Sequence, residues 1–172
     1  MSPFRLWIYK RLTGWLPETR CFGLKAALLR WAGAKVGKNV RIGSSVMIIG
    51  CGDLEIGDDV WIGAKALISL SSPAKVTIGS HVDIGPDVLI VTGSHKIEPD
   101  GDHIGGEGTS GSITIGDGSW ICARATILPN MVLAQKTLVA AGAVVTKSHA
   151  EQTCLLAGVP AETKKRFFNV SQ

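Results

Sequence analysis

Large aliphatic residues recur every six positions along most of the chain. Fifteen of them form five groups of three: Val36, Ile42 and Ile48; Ile56, Ile62 and Ile68; Ile78, Ile84 and Ile90; Ile115, Ile121 and Ile127; Leu133, Val139 and Val145. An amphipathic helix repeats about every 3.6 residues and a hairpin strand alternates about every two, so neither explains a period of six. The period predicts short parallel strands that turn a corner after six residues and stack into a solenoid of five turns.

Glycine follows the aliphatic residue directly at seven places: Gly37, Gly43, Gly57, Gly63, Gly79, Gly85 and Gly116. A small or branched residue such as Val40 or Ala66 often stands four positions after the aliphatic one. Because glycine adopts a positive φ at little cost, we expect these glycines to form the corners. Three corners in eighteen residues predict a triangular coil.

The repeated pattern of Ile or Val, then Gly, two variable residues and a Val, Ala or Ser resembles the hexapeptide signature of the left-handed parallel β-helix acyltransferases. The resemblance covers residues 36–166. It implies an all-β fold, a left-handed parallel β-helix, with short N-terminal amphipathic helices. We expect a basic amphipathic segment at 1–35, the acyltransferase domain at 36–150 with an inserted loop at 92–113, and a C-terminal tail at 151–172.

The inserted loop begins after Ile90, where the six-residue register is lost for nineteen extra residues rich in Gly, Asp and Ser. Long excursions from a regular solenoid are typical of binding loops. The run Thr92-Gly93-Ser94-His95, followed by ITIGDGSWICARATILP, AAGAVVTK and AGVPAETKKR, resembles the saccharide and polysaccharide O-acetyltransferases of the hexapeptide family. That resemblance implies that His95 is the catalytic base. A neutral imidazole can take the proton of a sugar hydroxyl as its oxygen attacks the acetyl thioester, in direct transfer without an acetyl-enzyme.

The resemblance also implies acetyl-CoA as the co-substrate. Small side chains would border its pantetheine arm and basic ones would bind its phosphates. The predicted donor contacts are Trp120, Ala123, Ala141, Thr146, Lys147, Lys164, Lys165 and Arg166. A scaffold role for Trp120 stays open because Trp61 holds the same place in an earlier turn, and the last three bases could instead form a solvated tail.

A saccharide is the implied acceptor. Simple-sugar acetyltransferases of the family hold it with an Asn and an Asp before the catalytic His, whereas this chain has Lys65 and Pro73 there. We therefore expect a polysaccharide-biosynthesis intermediate rather than a maltose-like or galactoside-like sugar. Candidate acceptor contacts are Lys65, Asp83, Asp87 and His103, with Ser69 and Ser71 as further candidates. The histidine spacing does not resemble the zinc site of γ-class carbonic anhydrases, so no metal is expected.

The N-terminal segment combines apolar stripes with bases. Phe4, Ile8, Leu12 and Trp15 lie close to one helical stripe, as do Leu24, Leu28 and Trp31 after Pro17. Residues 1–38 carry eight Lys or Arg and a single acid, Glu18. The net charge of the whole chain is +4. Two interpretations stay open: helices that cap the first turn, and helices that contact an anionic membrane. Nucleic acid is not an expected partner, because no recognition motif accompanies the charge.

The resemblance implies a homotrimer in which His95 of one subunit faces the Trp120 and Ala141 region of the next. Four widely spaced cysteines, no long apolar run and no signal-peptide pattern favour a cytoplasmic protein, with peripheral contact at the inner face of the membrane left open. Two other functions also stay open: an N-acetyltransferase of an amino sugar or other small acceptor, and a non-catalytic β-helix module.

Overall fold

The computed structural model describes residues 1–167. Two helices, α1 (Pro3–Thr13) and α2 (Phe22–Trp31), precede five turns of three strands each. The first three turns contain β1 (Lys35–Val36), β2 (Arg41–Ile42), β3 (Met47–Gly50), β4 (Asp53–Ile56), β5 (Trp61–Ile62), β6 (Leu67–Leu70), β7 (Lys75–Ile78), β8 (Asp83–Ile84) and β9 (Leu89–Val91). After β10 (Gly93–Ile97) and β11 (Gly105–Ser110), two turns follow with β12 (Ile113–Ile115), β13 (Trp120–Ile121), β14 (Thr126–Ile127), β15 (Val132–Leu133), β16 (Leu138–Val139) and β17 (Val144–Val145). The chain continues with β18 (Cys154–Ala157) and β19 (Glu162–Arg166).

Strands from successive turns pair in parallel and build three faces of a triangular solenoid. Face A contains β1, β4, β7, β12 and β15, face B contains β2, β5, β8, β13 and β16, and face C contains β3, β6, β9, β14 and β17. Equivalent aliphatic residues are in register, so that Ile84 pairs with Ile62 on one side and Ile121 on the other. The predicted triangular coil of stacked turns is therefore confirmed.

The core is the stack of the fifteen periodic aliphatic residues. Fourteen are buried, and Val36 in the first turn is partly buried against them. Each aliphatic layer covers the next, so burial stabilises every turn through its neighbours rather than alone.

Glycine has a different role at the corners from the one we expected. Positive φ occurs three residues after the aliphatic position, at Asn39, Asp59, Lys65, His81, Asp87, Gly118, Arg124, Asn130, Lys136 and Gly142. The seven predicted glycines do lie at corners between strands, but they are outside this set, so the positive φ expected of them was wrong. Steric crowding between turns explains their use instead, because a Cβ on Gly57 would lie 2.7 Å from the backbone nitrogen of Ser80. A Cβ on Gly116 would lie 2.6 Å from that of Gln135.

A partial sixth turn extends the five that the periodicity predicts. His149 bridges Leu133 on face A, Leu156 in β18 pairs with Val139 on face B, and the Ala161 backbone nitrogen donates to the Val144 carbonyl. Strand β19 then pairs antiparallel with β18 at the edge of face B. Aliphatic spacing misses this turn because a histidine, His149, occupies the inward position on face A. Burial lowers the pKa of this histidine.

The two helices pack over the first turn, α1 against β3 and α2 against β1 and β2. Leu6, Tyr9 and Leu29 are buried there, whereas Phe4, Leu12 and Trp15 of the predicted stripe are exposed. The two predicted helices are thus present, and three of the four stripe residues of the first helix lie on its exposed side. The fully buried ammonium of Lys25 joins the cap to the solenoid by donating to the carbonyls of Pro17 (3.1 Å), Glu18 (2.8 Å) and Ile42 (3.0 Å).

Candidate active site

The inserted segment forms an antiparallel hairpin of β10 and β11, in which Gly93 pairs with Ser110 and His95 with Gly108. It leaves the solenoid after β9, at the corner between faces C and A, and Ile113 is already the first residue of β12. Thr92, which is buried and immediately precedes β10, anchors the hairpin to the solenoid. The Thr92 Oγ1 accepts from the Ser71 nitrogen at 2.7 Å and donates to the Ser69 carbonyl at 3.2 Å. The regular coil thereby sets the point from which the hairpin projects.

His95 lies on the exposed hairpin with a defined ring orientation. Its Nδ1 is 2.8 Å from the carbonyl oxygen of Gly106 on the opposite strand. A carbonyl can only accept, so Nδ1 carries the proton and Nε2 carries the lone pair in the neutral ring. This is the tautomer that can accept a proton through Nε2. The sequence did not indicate Gly106, because its contact depends on the pairing of the two hairpin strands.

A cavity of about 700 Å³ lies beside His95. Hydroxyl-bearing and small residues line it: Ser71, Ser72, Pro73, Gly93, Ser94, His95, Gly108, Thr109 and Ser110. Ser71 was among the predicted acceptor contacts, whereas Ser72, Thr109 and Ser110 were not. The Ser- and Gly-rich run after Gly105 could have indicated Thr109 and Ser110 only if its pairing with Gly93–Ile97 had been known. Serine and threonine hydroxyls both donate and accept, which suits a polyhydroxylated ligand.

Other predicted residues lie on face B and at its corner with face C. Asp83 stands between Trp61 and Trp120 in the outward row of face B. At the corner, Ala123 and Ala141 lie on adjacent turns, where the Gly142 nitrogen donates to the Ala123 carbonyl at 3.0 Å. The same corner holds Lys65 and Asp87, which have φ values of 59° and 56°.

The predicted phosphate-binding residues lie near the end of the solenoid. Thr146 and Lys147 follow β17 at the corner between faces C and A, and the Lys147 Nζ is 3.3 Å from Glu162 Oε1. Lys164, Lys165 and Arg166 lie on β19. Arg166 donates to both carboxylate oxygens of Glu151, at 2.9 Å and 2.5 Å, and lowers the pKa of that carboxyl. Two of the predicted phosphate contacts are therefore already engaged in ion pairs.

Apart from the phosphate-binding residues just described, the predicted site residues of one chain form two separate parts. His95 and the exposed His103 belong to the hairpin, at one edge of face C. The set of Lys65, Asp83, Asp87, Trp120, Ala123 and Ala141 lies on face B and at the opposite edge of face C. None of that set lines the cavity beside His95.

Two further features bear on ligands and location. Within residues 1–167, no group of three or more His, Cys, Asp or Glu side chains is placed to hold a metal ion. Over that same described range, neither helix has the length and apolar character needed to cross a membrane.

No protein-family model matches the chain. WcaF of Escherichia coli (strain K12), whose name assigns it provisionally to colanic acid biosynthesis as an acetyltransferase, is 32% identical over 148 residues. The match covers 84% of this chain and 76% of WcaF. The chain belongs to the hexapeptide-repeat acetyltransferases. Galactoside O-acetyltransferase of the same strain is 28% identical over 136 residues, which cover 79% of this chain and 65% of that protein.

Solved structures of acetyltransferases share the fold. A maltose O-acetyltransferase from Clostridium difficile 630 has a TM-score of 0.67 at 19% identity, covering 98% of this chain and 87% of the other. A hexapeptide-repeat acetyltransferase from Vibrio cholerae O1 biovar eltor, solved with acetyl coenzyme A, has a TM-score of 0.63 at 24% identity, covering 97% and 87%. The predicted left-handed β-helix fold is confirmed, as is the acyltransferase class of this hexapeptide-repeat acetyltransferase. The roles of His95 and the predicted contact residues stay predictions.

Proposed function

We propose that this acetyltransferase moves an acetyl group from acetyl-CoA to a hydroxyl of a sugar or polysaccharide-biosynthesis intermediate, with His95 as general base. The main support is the hydrogen bond from His95 Nδ1 to the Gly106 carbonyl, which directs the lone pair of the neutral ring to Nε2. Relatives named for colanic acid biosynthesis and for galactoside O-acetylation favour a saccharide acceptor.

The proposed step is a direct transfer. Nε2 of His95 takes the acceptor hydroxyl proton as the oxygen forms a bond to the thioester carbonyl carbon. Collapse of the tetrahedral intermediate breaks the carbon–sulfur bond, and the imidazolium returns the proton to the departing thiolate. The products are an acetyl ester and coenzyme A. The Gly106 carbonyl keeps its hydrogen bond from Nδ1 throughout and stabilises the transient positive charge on the ring.

The acceptor would occupy the hydroxyl-lined cavity beside His95. Ser72, Thr109 and Ser110 lie on both sides of this cavity and offer hydroxyls that can exchange hydrogen bonds with sugar hydroxyls. The donor would follow the corner between faces B and C, where Ala123 and Ala141 leave room for an extended pantetheine arm. Bases such as the exposed Lys164 would then contact the coenzyme phosphates.

A homotrimer would bring these two parts together. The outward row of face C is largely apolar, with Met47, Leu67, Leu89, Thr126 and Val144 in register. By contrast, face A carries the ion pairs of Lys35 and Lys75 with Glu55.

If face C packs around a threefold axis, its two edges meet between neighbouring subunits. The hairpin at one edge, with His95, then faces Ala123 and Ala141 at the other edge of the next subunit. Each of the three interfaces would therefore hold one complete site.

Release of coenzyme A from acetyl-CoA, measured over a panel of nucleotide sugars and glycans, tests the proposed activity. We expect turnover with a saccharide and a product whose acetyl group hydroxylamine removes, because hydroxylamine cleaves esters and leaves amides intact. A hydroxylamine-resistant product would favour amino-sugar N-acetylation instead. Coenzyme A binding without turnover on any acceptor would favour a non-catalytic module.

Mixed oligomers test the shared site. His95→Ala removes the base, and Ala141→Trp fills the proposed donor corner, so each variant alone should be inactive. Every trimer that contains both variants has one intact interface, and random mixing would restore about a quarter of wild-type activity. Failure to restore activity in trimers shown to be mixed would contradict a site shared between subunits.

A further inference from the structure

Helix α1 carries large apolar side chains on two sides, and within residues 1–167 only one of these sides packs against the rest of the protein. Leu6 and Tyr9 are buried against the solenoid. On the opposite side, Phe4, Trp7 and Leu12 are exposed, the first two at 69% and 57%. Large apolar side chains that are exposed together on one side of a helix mark an interaction surface. The outer side of α1 therefore has the character of a binding surface.

We call this side the α1 outer surface; it consists of Phe4, Trp7, Lys10, Arg11, Gly14 and Trp15. The rings of Phe4 and Trp7 are stacked, with centroids 6.3 Å apart and planes 14° apart. The Arg11 guanidinium lies 5.4 Å from the centroid of the Trp7 ring, and Trp15 beyond it is 91% exposed. Trp7, Lys10, Arg11, Gly14 and Trp15 line an open groove of about 490 Å³. Aromatic rings and cations thus share one concave face.

The charge of the N-terminal segment is complementary to an anionic partner. Its single acid, Glu18, is turned towards the solenoid, where its carboxylate accepts from the Ser45 nitrogen at 3.1 Å and from the Ser45 hydroxyl at 2.8 Å. Lys25 is buried among backbone carbonyls, so its charge is not part of the exposed surface. Lys10 and Arg11, in contrast, are exposed on the α1 outer surface. The residues that line the groove therefore include two bases, Lys10 and Arg11, and no acid.

We propose that the α1 outer surface binds the headgroup region of an anionic phospholipid membrane. Tryptophan rings prefer the boundary between headgroups and acyl chains, and lysine and arginine gain from the negative potential of the same layer. Trp7 and Trp15 supply the aromatic rings and Lys10 and Arg11 supply the positive charges, all on the α1 outer surface. This inference does not depend on the reaction proposed above.

Co-sedimentation of the full chain with vesicles tests the proposal. We expect binding to phosphatidylcholine vesicles that contain one third phosphatidylglycerol, little binding to pure phosphatidylcholine, and a marked loss at high salt. Lys10→Gln with Arg11→Gln should lower the partition coefficient by about 30-fold. Trp7→Ala with Trp15→Ala should lower it by about tenfold or more on the anionic vesicles.

Matched controls lie elsewhere on the chain. Val159→Ala removes apolar surface from a side chain that is 72% exposed beyond β18, and Arg124→Gln with Lys136→Gln removes two exposed bases from corners of the solenoid. Both controls should bind anionic vesicles like the wild type. Acetyl transfer to a soluble acceptor should be unchanged in the α1 variants, so loss of vesicle binding and loss of catalysis are separable.

Three results would overturn the proposal: equal binding of the wild type to neutral and anionic vesicles, unchanged binding of the α1 double variants, or loss of binding in the controls to the same degree. The α1 outer surface would instead be a contact between copies of the chain if the Trp7 and Trp15 substitutions changed the sedimentation coefficient of the free protein and left vesicle binding intact.

Discussion

The solenoid and its inserted hairpin hold their side chains in opposite ways. In the solenoid, Ile62, Ile84 and Ile121 are fully buried and aligned by strand pairing on both sides. In the hairpin, every residue from Ser94 to Gly105 is exposed, and the ion pair between Lys96 and Glu107 lies at the surface. The candidate base therefore lies outside the buried stack of the solenoid, on a segment that little packing holds in place.

The base of the hairpin connects these two regions. Thr92 is fully buried and bonds to residues of the preceding turn, and a Cβ on the next residue, Gly93, would lie 2.6 Å from Ser71 Oγ. From there, the orientation of His95 depends on a single cross-strand contact to Gly106. Substitutions in the hairpin, in the solenoid and at this junction should consequently have different effects on turnover and stability.

The largest effect should follow loss of the imidazole. His95→Ala should lower turnover by about 10²- to 10⁴-fold, because the acceptor hydroxyl loses its general base. Coenzyme A affinity, measured by calorimetry, and the unfolding midpoint should change little, since the side chain is exposed on the hairpin.

The matched control is His81→Asn, at an exposed corner where a positive φ of 59° suits asparagine. This variant should retain normal turnover. Near-normal turnover in His95→Ala would show that His95 is structural and would make His103 the next candidate for the base.

A substitution in the solenoid should instead lower stability and leave turnover almost unchanged. Ile84→Ala removes a fully buried side chain between Ile62 and Ile121, and should lower the free energy of unfolding by about 2–5 kcal/mol. Turnover per folded molecule should be nearly unchanged. Urea denaturation followed by circular dichroism measures the first quantity, and initial rates at low temperature measure the second. A large loss of turnover in the folded variant would contradict the separation of scaffold and chemistry.

A smaller effect, on both quantities, should follow a change at the junction. Thr92→Val keeps the shape of the side chain but leaves the Ser71 N–H without its acceptor, which should cost about 1–3 kcal/mol of stability. Turnover should also fall, because the hairpin base loses its anchor. Thr92→Ser retains the hydroxyl and should behave almost like the wild type. Equal losses in the Val and Ser variants would indicate packing of the methyl group instead of the hydrogen bond.

The same division explains what the sequence could predict. Each of the fifteen regularly spaced aliphatic residues marks a position that faces the core, so the coil can be predicted from local spacing alone. The stripe on α1 did not determine which side of the helix packs on the solenoid, because both sides carry large apolar residues, such as Leu6 and Trp7. His95 was found through its surrounding motif. Its partner Gly106 depends on strand pairing in a segment without hydrophobic periodicity, and the division of the site depends on which corner of the coil each residue occupies.

The smallest expected effect concerns two thiols of the solenoid, Cys51 and Cys122. Cys51 is exposed near the first turn, whereas Cys122 is partly buried beside Gly85, and desolvation raises the pKa of its thiol. Because the thiolate is the reactive form, Cys122 should be alkylated more slowly than Cys51 near neutral pH, with the rate rising as pH increases. Mass spectrometry of iodoacetamide-treated protein measures both rates. Ile84→Ala should speed the labelling of Cys122 by loosening the adjacent turn, whereas Thr92→Val should not. Equal rates at Cys51 and Cys122 in the wild type would show that the fourth turn opens readily and would remove the contrast between a rigid solenoid and its exposed hairpin.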